Sequence, residues 1–337
     1  RGRGPVPFGG LLCGGMWAVG LRVARAGGVR GGGPYVPPVD GLGRGARWLG
    51  LDLESPEGTE TLMRLGEKAD GLTEGFRPGV NERLGFGPDE CMARNSRLVY
   101  GRMTGWGQTG PYALTAGHDI NYIALAGALE PIGRRGEAPV PPLNLVGDFG
   151  GGGMYLAFGM VCAILEARSS GQGQVVDAAM VDGAASLMGF FHGFRAMGVW
   201  NDERGTNMLD TGAPYYDVYE TGDGKYVSIG SIEPQFYAQL RDKLGLDDAK
   251  WDAQQTRADW PDRKADLAEI FLMKTRDEWC EIIEGSDVCF APVLSIEEAP
   301  KHPHNVARST FPEVSGIPQP SPPPRSRRPA PQIPLPP

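Results

Sequence analysis

The sequence predicts an α/β layer built on a parallel sheet, followed by a second, smaller α+β domain. Three observations carry that prediction. Between Leu49 and Met180 short strands alternate with helices, the pattern of a parallel sheet covered by helices. After residue 212 a β-hairpin appears, Tyr215–Gly230, with Asp-Gly in its turn. Charged amphipathic helices then fill 234–285, and Ala291–Leu294 closes as a strand.

Residues 1–50 hold sixteen glycines and seven arginines against one acid, Asp40. They read either as a flexible terminus or as a glycine-broken helix over Phe8–Met16 and a strand over Gly20–Val23. Leu49–Leu53 reads as a strand. Ser55 is a good N-cap and Pro56 a good first-turn residue for a helix over Glu57–Lys68. The turn Gly75-Phe76-Arg77-Pro78-Gly79 precedes a helix over Pro88–Asn95 and a strand over Arg97–Tyr100. Met154–Arg168 reads as a strongly apolar helix, Gln174–Met180 as a strand and Asp182–Met197 as one further apolar helix. His192, among three phenylalanines, reads as a core or interface side chain. The tail from Ile317 carries ten prolines in 21 residues, which excludes helix and central strand.

The 337 residues suffice for one large or two ordinary domains, and 41% hydrophobic content is that of a globular chain. No apolar run approaches the roughly 18 residues of a membrane span, and no signal peptide is expected. Five spread cysteines with no CxxC read as free thiols of a reducing cytosol, hence a cytoplasmic protein. The net charge of −8 argues against nucleic acid, but local arginines still allow an anionic small ligand. No spacing suits a metal, and G-x-S-x-G, the phosphate loop and a strand-borne G-x-G-x-x-G are absent.

The chemistry concentrates between Tyr100 and Gly153. His118, one of four histidines, sits in Gly-His-Asp-Ile-Asn-Tyr, and Asp148 in Gly-Asp-Phe before four glycines. A histidine and a carboxylate on separate glycine segments suit proton removal and return at one carbon. Backbone N–H groups near Asp148-Phe149-Gly150 are candidate donors to a developing oxyanion. Arg77, in a turn at a strand end, and Arg83 suit phosphate recognition.

The segments EGFRPGV, GRMTGWGQTGP, AGHDINY, PPLNLVGDFGGG, GQGQVVDAAMVDG, NMLDTGAPYYDVYETGDGKYVSIGSIEPQFY and APVLS resemble the α-methylacyl-CoA racemases of the family III CoA-transferase superfamily. The resemblance spans Leu49 to Arg325. It implies a Rossmann-like large CoA-binding domain over 1–190, a linker over 191–211, a small α+β domain over 212–300 and a return segment over 301–337. It implies an interlocked homodimer whose site lies between one subunit's large domain and the other's small domain. His118 and Asp148 become the catalytic pair and Glu233 the carboxylate partner of the histidine. Arg25, Arg77 and Arg83 become coenzyme A ligands, and Asp119 and Tyr122 line the acyl-thioester pocket. The substrate is an acyl-CoA thioester, and no metal or redox cofactor is called for. Departures fall at the ends. The first strand before Gly2-Arg3-Gly4-Pro5 is missing, Glu54 stands where lysine is common, and the terminal acidic helix is absent. Two rivals are a CoA-transferase using Asp148 as nucleophile and a non-catalytic CoA-thioester-binding paralogue.

Overall fold

The computed structural model describes residues 4–25 and 41–325. Gly2 and Arg3 of the opening motif, and the proline tail beyond Arg325, lie outside them. The chain divides into two compact units. The first comprises residues 1–128, 141–189 and 304–337; the second comprises 129–140 and 190–303. Thus the segment 129–140, between His118 and Asp148 in sequence, belongs with the second unit.

The first unit opens with helix α1 (Pro5–Gly15), started by two prolines whose fixed φ suits a first turn. Strands β1 (Gly20–Arg25) and β2 (Ala46–Leu51) pair in parallel. Helix α2 (Pro56–Gly66) starts as its sequence predicts: Ser55 Oγ accepts the Gly58 amide at 3.1 Å. Next come β3 (Gly71–Glu74), α3 (Val80–Arg83), α4 (Pro88–Arg94) and β4 (Val99–Thr104). Strand β4 begins two residues later than expected and is buried along its whole length, because it is the middle strand of the parallel sheet β3-β4-β5. Its Tyr100 hydroxyl accepts from Asn81 Nδ2 (2.8 Å) and donates to the Phe86 carbonyl (3.0 Å), pinning α3 to the sheet.

Helix α5 (Asp119–Leu125) follows, then a π-helical segment, Leu145–Met154, that runs without a break into α6 (Tyr155–Ser170). The joined run of 26 residues is long and apolar enough to cross a membrane, a length that the separate apolar stretches of the sequence do not reach. One face of it, Leu156, Met160, Ala163 and Ala167, packs into the core with β4 and β5 residues, as a core helix does. Strand β5 (Val175–Ala179) leads into α7 (Met180–Leu187). The single helix expected over Asp182–Met197 is two, α7 and α8 (Gly189–Ala196), broken at Met188-Gly189. His192 is exposed on α8 rather than in a core of this chain.

The second unit is an antiparallel sheet, β6 (Tyr216–Glu220), β7 (Tyr226–Gly230) and β8 (Phe290–Val293), in the order β6-β7-β8. Gly224 takes φ +71° in the predicted Asp-Gly turn, the left-handed region that glycine enters without strain. Helices α9 (Pro234–Leu244), α10 (Trp260–Phe271) and α11 (Arg276–Ile283) cover the sheet. The core between them is aromatic: Tyr215, Tyr219, Tyr237, Trp251, Trp260, Phe271 and Trp279 are all buried.

Candidate active site

All three strands of the β3-β4-β5 sheet run in parallel, so their carboxyl ends share one edge. Each candidate group of this unit except Arg25 descends from that edge or from the helices behind it. Strand β3 ends at Glu74 and delivers the turn bearing Arg77. Strand β4 ends at Thr104 and delivers the loop that leads to His118. Gly105 O accepts the Val181 amide at 3.1 Å, which ties the end of β4 to the start of α7.

His118 occupies the N-cap of α5, with extended backbone (φ −136°, ψ 174°), and its amide donates to Asn121 Oδ1 at 3.0 Å. The backbone is thereby fixed while the imidazole stays exposed. Asp148 lies in the first turn of the π-helical segment, half-buried. Its Oδ2 accepts from Asn144 Nδ2 at 3.2 Å, one i,i+4 step back along the chain. Burial pushes the Asp148 carboxyl above the usual carboxylate range, and the Asp119 charge adds to the rise. Asn144 and His118 pull the other way. The two residues, 30 apart in sequence, lie on turns that are bonded to each other, because Asp119, next to His118, accepts the Asp148 amide. A carboxyl displaced upward is better matched to donating and accepting protons near neutrality.

The glycines after Asp148 serve packing. A Cβ on Gly183 of α7 would lie 1.8 Å from the Gly151 carbonyl oxygen, so α7 and the π-helical segment touch backbone to backbone. The Asp148 amide, one of the expected oxyanion donors, is already committed: it donates to Asp119 Oδ2 at 2.7 Å.

Asp119 and Tyr122 are buried. The Tyr122 hydroxyl donates to the Gly117 carbonyl, and its ring meets Trp106 edge-on at 4.8 Å. Burial, then the charges of Asp148 and Asp119, push this phenol up to about 12, so it stays protonated in the working range. Both residues brace the loop on either side of His118.

Arg77 and Arg83 are exposed, and neither forms an ion pair among the described residues. The segment that carries them is clamped from below by Arg102 of β4. Buried Arg102 donates from Nε to Glu74 Oε1 (3.1 Å) and from Nη1 to Glu82 Oε1 (2.7 Å). Glu74 also accepts the Phe76 amide at 2.6 Å. The two acids bracket residues 75–81, so Arg102 fixes both ends of the arginine-bearing turn. Arg25 differs: its guanidinium pairs with Glu54. Glu233 caps α9 in the second unit and is exposed; Cys289 lies within reach of its charge.

Sequence reading overlooked Asn144 and Arg102. The signal for Asn144 was its i−4 spacing from Asp148. For Arg102 it was a charged residue inside a strand that is otherwise buried.

The parallel layer and its strand-end loops define an α/β protein, with His118 and Asp148 as a candidate histidine–carboxylate pair beside the sheet. The chain belongs to CoA-transferase family III, whose sequence pattern matches residues 23–336. It is 46% identical over 310 residues to the alpha-methylacyl-CoA racemase of Mus musculus, covering 92% of this chain and 79% of the relative. The Homo sapiens alpha-methylacyl-CoA racemase is 45% identical over the same length and shares. The succinyl-CoA–D-citramalate CoA-transferase of Chloroflexus aurantiacus is 29% identical over 276 residues, 80% of this chain and 68% of the relative. Among solved structures, a CAIB/BAIF family protein from Brucella suis has a TM-score of 0.83 at 23% identity, over 98% of this chain and 91% of that one. That likeness speaks to the fold.

Proposed function

We propose that this chain is a 2-methylacyl-CoA racemase that moves the α-proton by two bases. The observation that carries the reading is that the turn bearing His118 and the turn bearing Asp148 are joined: Asp119, the residue after His118, accepts the Asp148 amide at 2.7 Å. The similarity to the two mammalian racemases supports it. One base takes the α-proton, the thioester carbonyl holds the charge as an enolate, and the opposite group returns a proton to the other face. The thioester supplies the activation, so the reaction needs no redox or metal cofactor. Arg77 and Arg83, without ion-pair partners among the described residues, would grip the coenzyme A phosphates.

In this reading the working form is an interlocked homodimer, with Glu233 of the partner subunit beside His118. A carboxylate there orients the imidazole and favours its cation. An exposed apolar stripe on the π-helical segment and α6 supports a second copy as its cover. Met154, Phe158, Val161 and Leu165 repeat at helical spacing, and Phe158 and Leu165 are 71% and 70% exposed.

Isotope exchange in ²H₂O tests the reading. Both enantiomers of a 2-methylacyl-CoA should take up ²H at the α-carbon. His118→Ala should abolish exchange with one enantiomer and spare slower exchange with the other; Asp148→Ala should show the mirror pattern. Interconversion should fall by about 10²–10⁴-fold in either variant. The transferase alternative, favoured by the more distant relatives, gives a different outcome: an acyl adduct on Asp148 trapped by hydroxylamine and unaffected by His118→Ala. Such trapping without exchange would overturn the racemase reading.

A further inference from the structure

Asp119 is a buried carboxylate at this site to which two-base chemistry assigns no task. It is 5% exposed. Its Oδ2 accepts the Asp148 amide at 2.7 Å, and its Oδ1 is buried without a partner among the described residues. A buried carboxylate with so few hydrogen bonds is costly. The surrounding chain is shaped to keep it. A Cβ on Gly147 would lie 2.7 Å from the same Oδ2, so only glycine leaves room there. Asp119 directly follows His118, and its bond reaches 29 residues ahead to Asp148. One side chain thus ties the head of α5 to the first turn of the π-helical segment.

We propose that Asp119 is a positioning residue whose carboxylate holds the Asp148 backbone and so sets the two proton-transferring groups against each other. Its place in catalysis rests on the two-base reading; its hold on Asp148 does not. The same geometry gives Asp119 an electrostatic effect, since its charge is one cause, after burial, of the upward displacement of the Asp148 carboxyl. The titratable groups facing Asp148 are His118 and Asp119 from the head of α5 and Tyr122 one turn on. Asn144 on its own segment and Gly4 at the start of α1 are neutral.

The test separates the bond from the charge. Asp119→Asn keeps the shape and an acceptor oxygen but removes the charge. Asp119→Ala removes both, and Gly147→Ala presses on the carboxylate from the opposite side. The first readout is the ¹³C NMR titration of the Asp148 carboxyl carbon without substrate, assigned by its loss in Asp148→Asn. Its midpoint should fall in Asp119→Asn by roughly 0.5 pH unit or more, because a like charge has gone. The second readout is α-proton exchange in ²H₂O with each enantiomer. Asp119→Ala and Gly147→Ala should lower kcat for the enantiomer served by Asp148 by about 10–100-fold, the cost of small misplacement, with KM changed less than about threefold. Asp119→Asn should recover most of that loss. An unchanged midpoint in Asp119→Asn, or equal losses for Asn and Ala, overturns the assignment. If the midpoint moves while the wild type exchanges neither enantiomer, the racemase reading fails and the coupling of Asp119 to Asp148 stands.

Discussion

The two units of this chain fill their cores differently. The second unit fills its core with large rings whose polar ends are satisfied. Trp260 Nε1 donates to Gln254 O (3.0 Å), Trp279 Nε1 to Phe271 O (2.8 Å) and Tyr237 OH to Trp251 O (3.1 Å). Its most buried carboxylate, Asp217, accepts from Arg134 at 2.7 Å through both oxygens and also pairs with Lys264. The first unit instead brings helices together through glycine backbone. It also leaves an apolar stripe on α6 exposed, while buried polar atoms without partners occur in both units, Asp119 Oδ1 and Trp106 Nε1 in the first and Arg263 Nε and Arg276 Nε in the second. The contrast is between a core filled by large rings and a layer closed by backbone contact at glycine.

The comparison breaks most violently at the glycine contact. Gly183→Val must push α7 off the π-helical segment, since its Cβ would lie 1.8 Å from a carbonyl oxygen. We expect a loss above about 4 kcal/mol, measured by urea unfolding. A mild effect would show that the first unit is as plastic as an ordinary core. In the second unit the corresponding weak point is ionic. Asp217→Asn leaves Arg134 and Lys264 beside a neutral amide and should cost about 3 kcal/mol. This is the low end for a broken buried pair, because the Arg134 side chain is 42% exposed and can rehydrate. A change under about 1 kcal/mol would mean that the aromatic core alone holds segment 129–140.

Smaller effects sharpen the contrast between paired and free arginines. Arg77→Ala and Arg83→Ala should each raise KM for acyl-CoA by about 10–100-fold with kcat little changed, as expected when a charge-assisted contact worth roughly 1.5–3 kcal/mol contributes uniform binding. Arg25→Ala should do less, because Glu54 already neutralises that guanidinium. Equal effects at all three positions would erase the distinction.

The smallest effect is on stability against pH. Asp148 has a folded-state pKa above its unfolded value, because burial penalises the charged form. The folded state therefore binds more protons between the two values, and stability falls as pH rises through that window. The penalty is absent below the unfolded carboxyl pKa and complete above the folded one. Asp148→Asn should thus be inactive yet modestly more stable than wild type at neutral pH, with the gain vanishing in acid. Thermal unfolding at several pH values would show it, and a gain that grows in acid would contradict the sign.

Local hydrogen bonds and side-chain periodicity act over a few residues, so the chain announces them by itself. The Ser55 cap, the Asp-Gly hairpin turn, strand β5 and the alternation that marks a parallel sheet were all legible in this way, whereas α1 begins at Pro5, three residues before the helix read over Phe8–Met16. His118 and Asp148 were legible as residue types in glycine-rich surroundings, and the motifs around them carried the family. Tertiary structure decided what each long-range partner does. It paired Arg25 with Glu54, set Arg102 between Glu74 and Glu82, and placed residues 129–140 with the second unit. It broke the helix expected over 182–197 and fused the π-helical segment to α6. It also turned Asp119 inward to hold Asp148. Those outcomes depend on which side chains meet across tens of residues of intervening chain, and on how closely glycine lets backbones approach, neither of which is written in any short stretch of sequence.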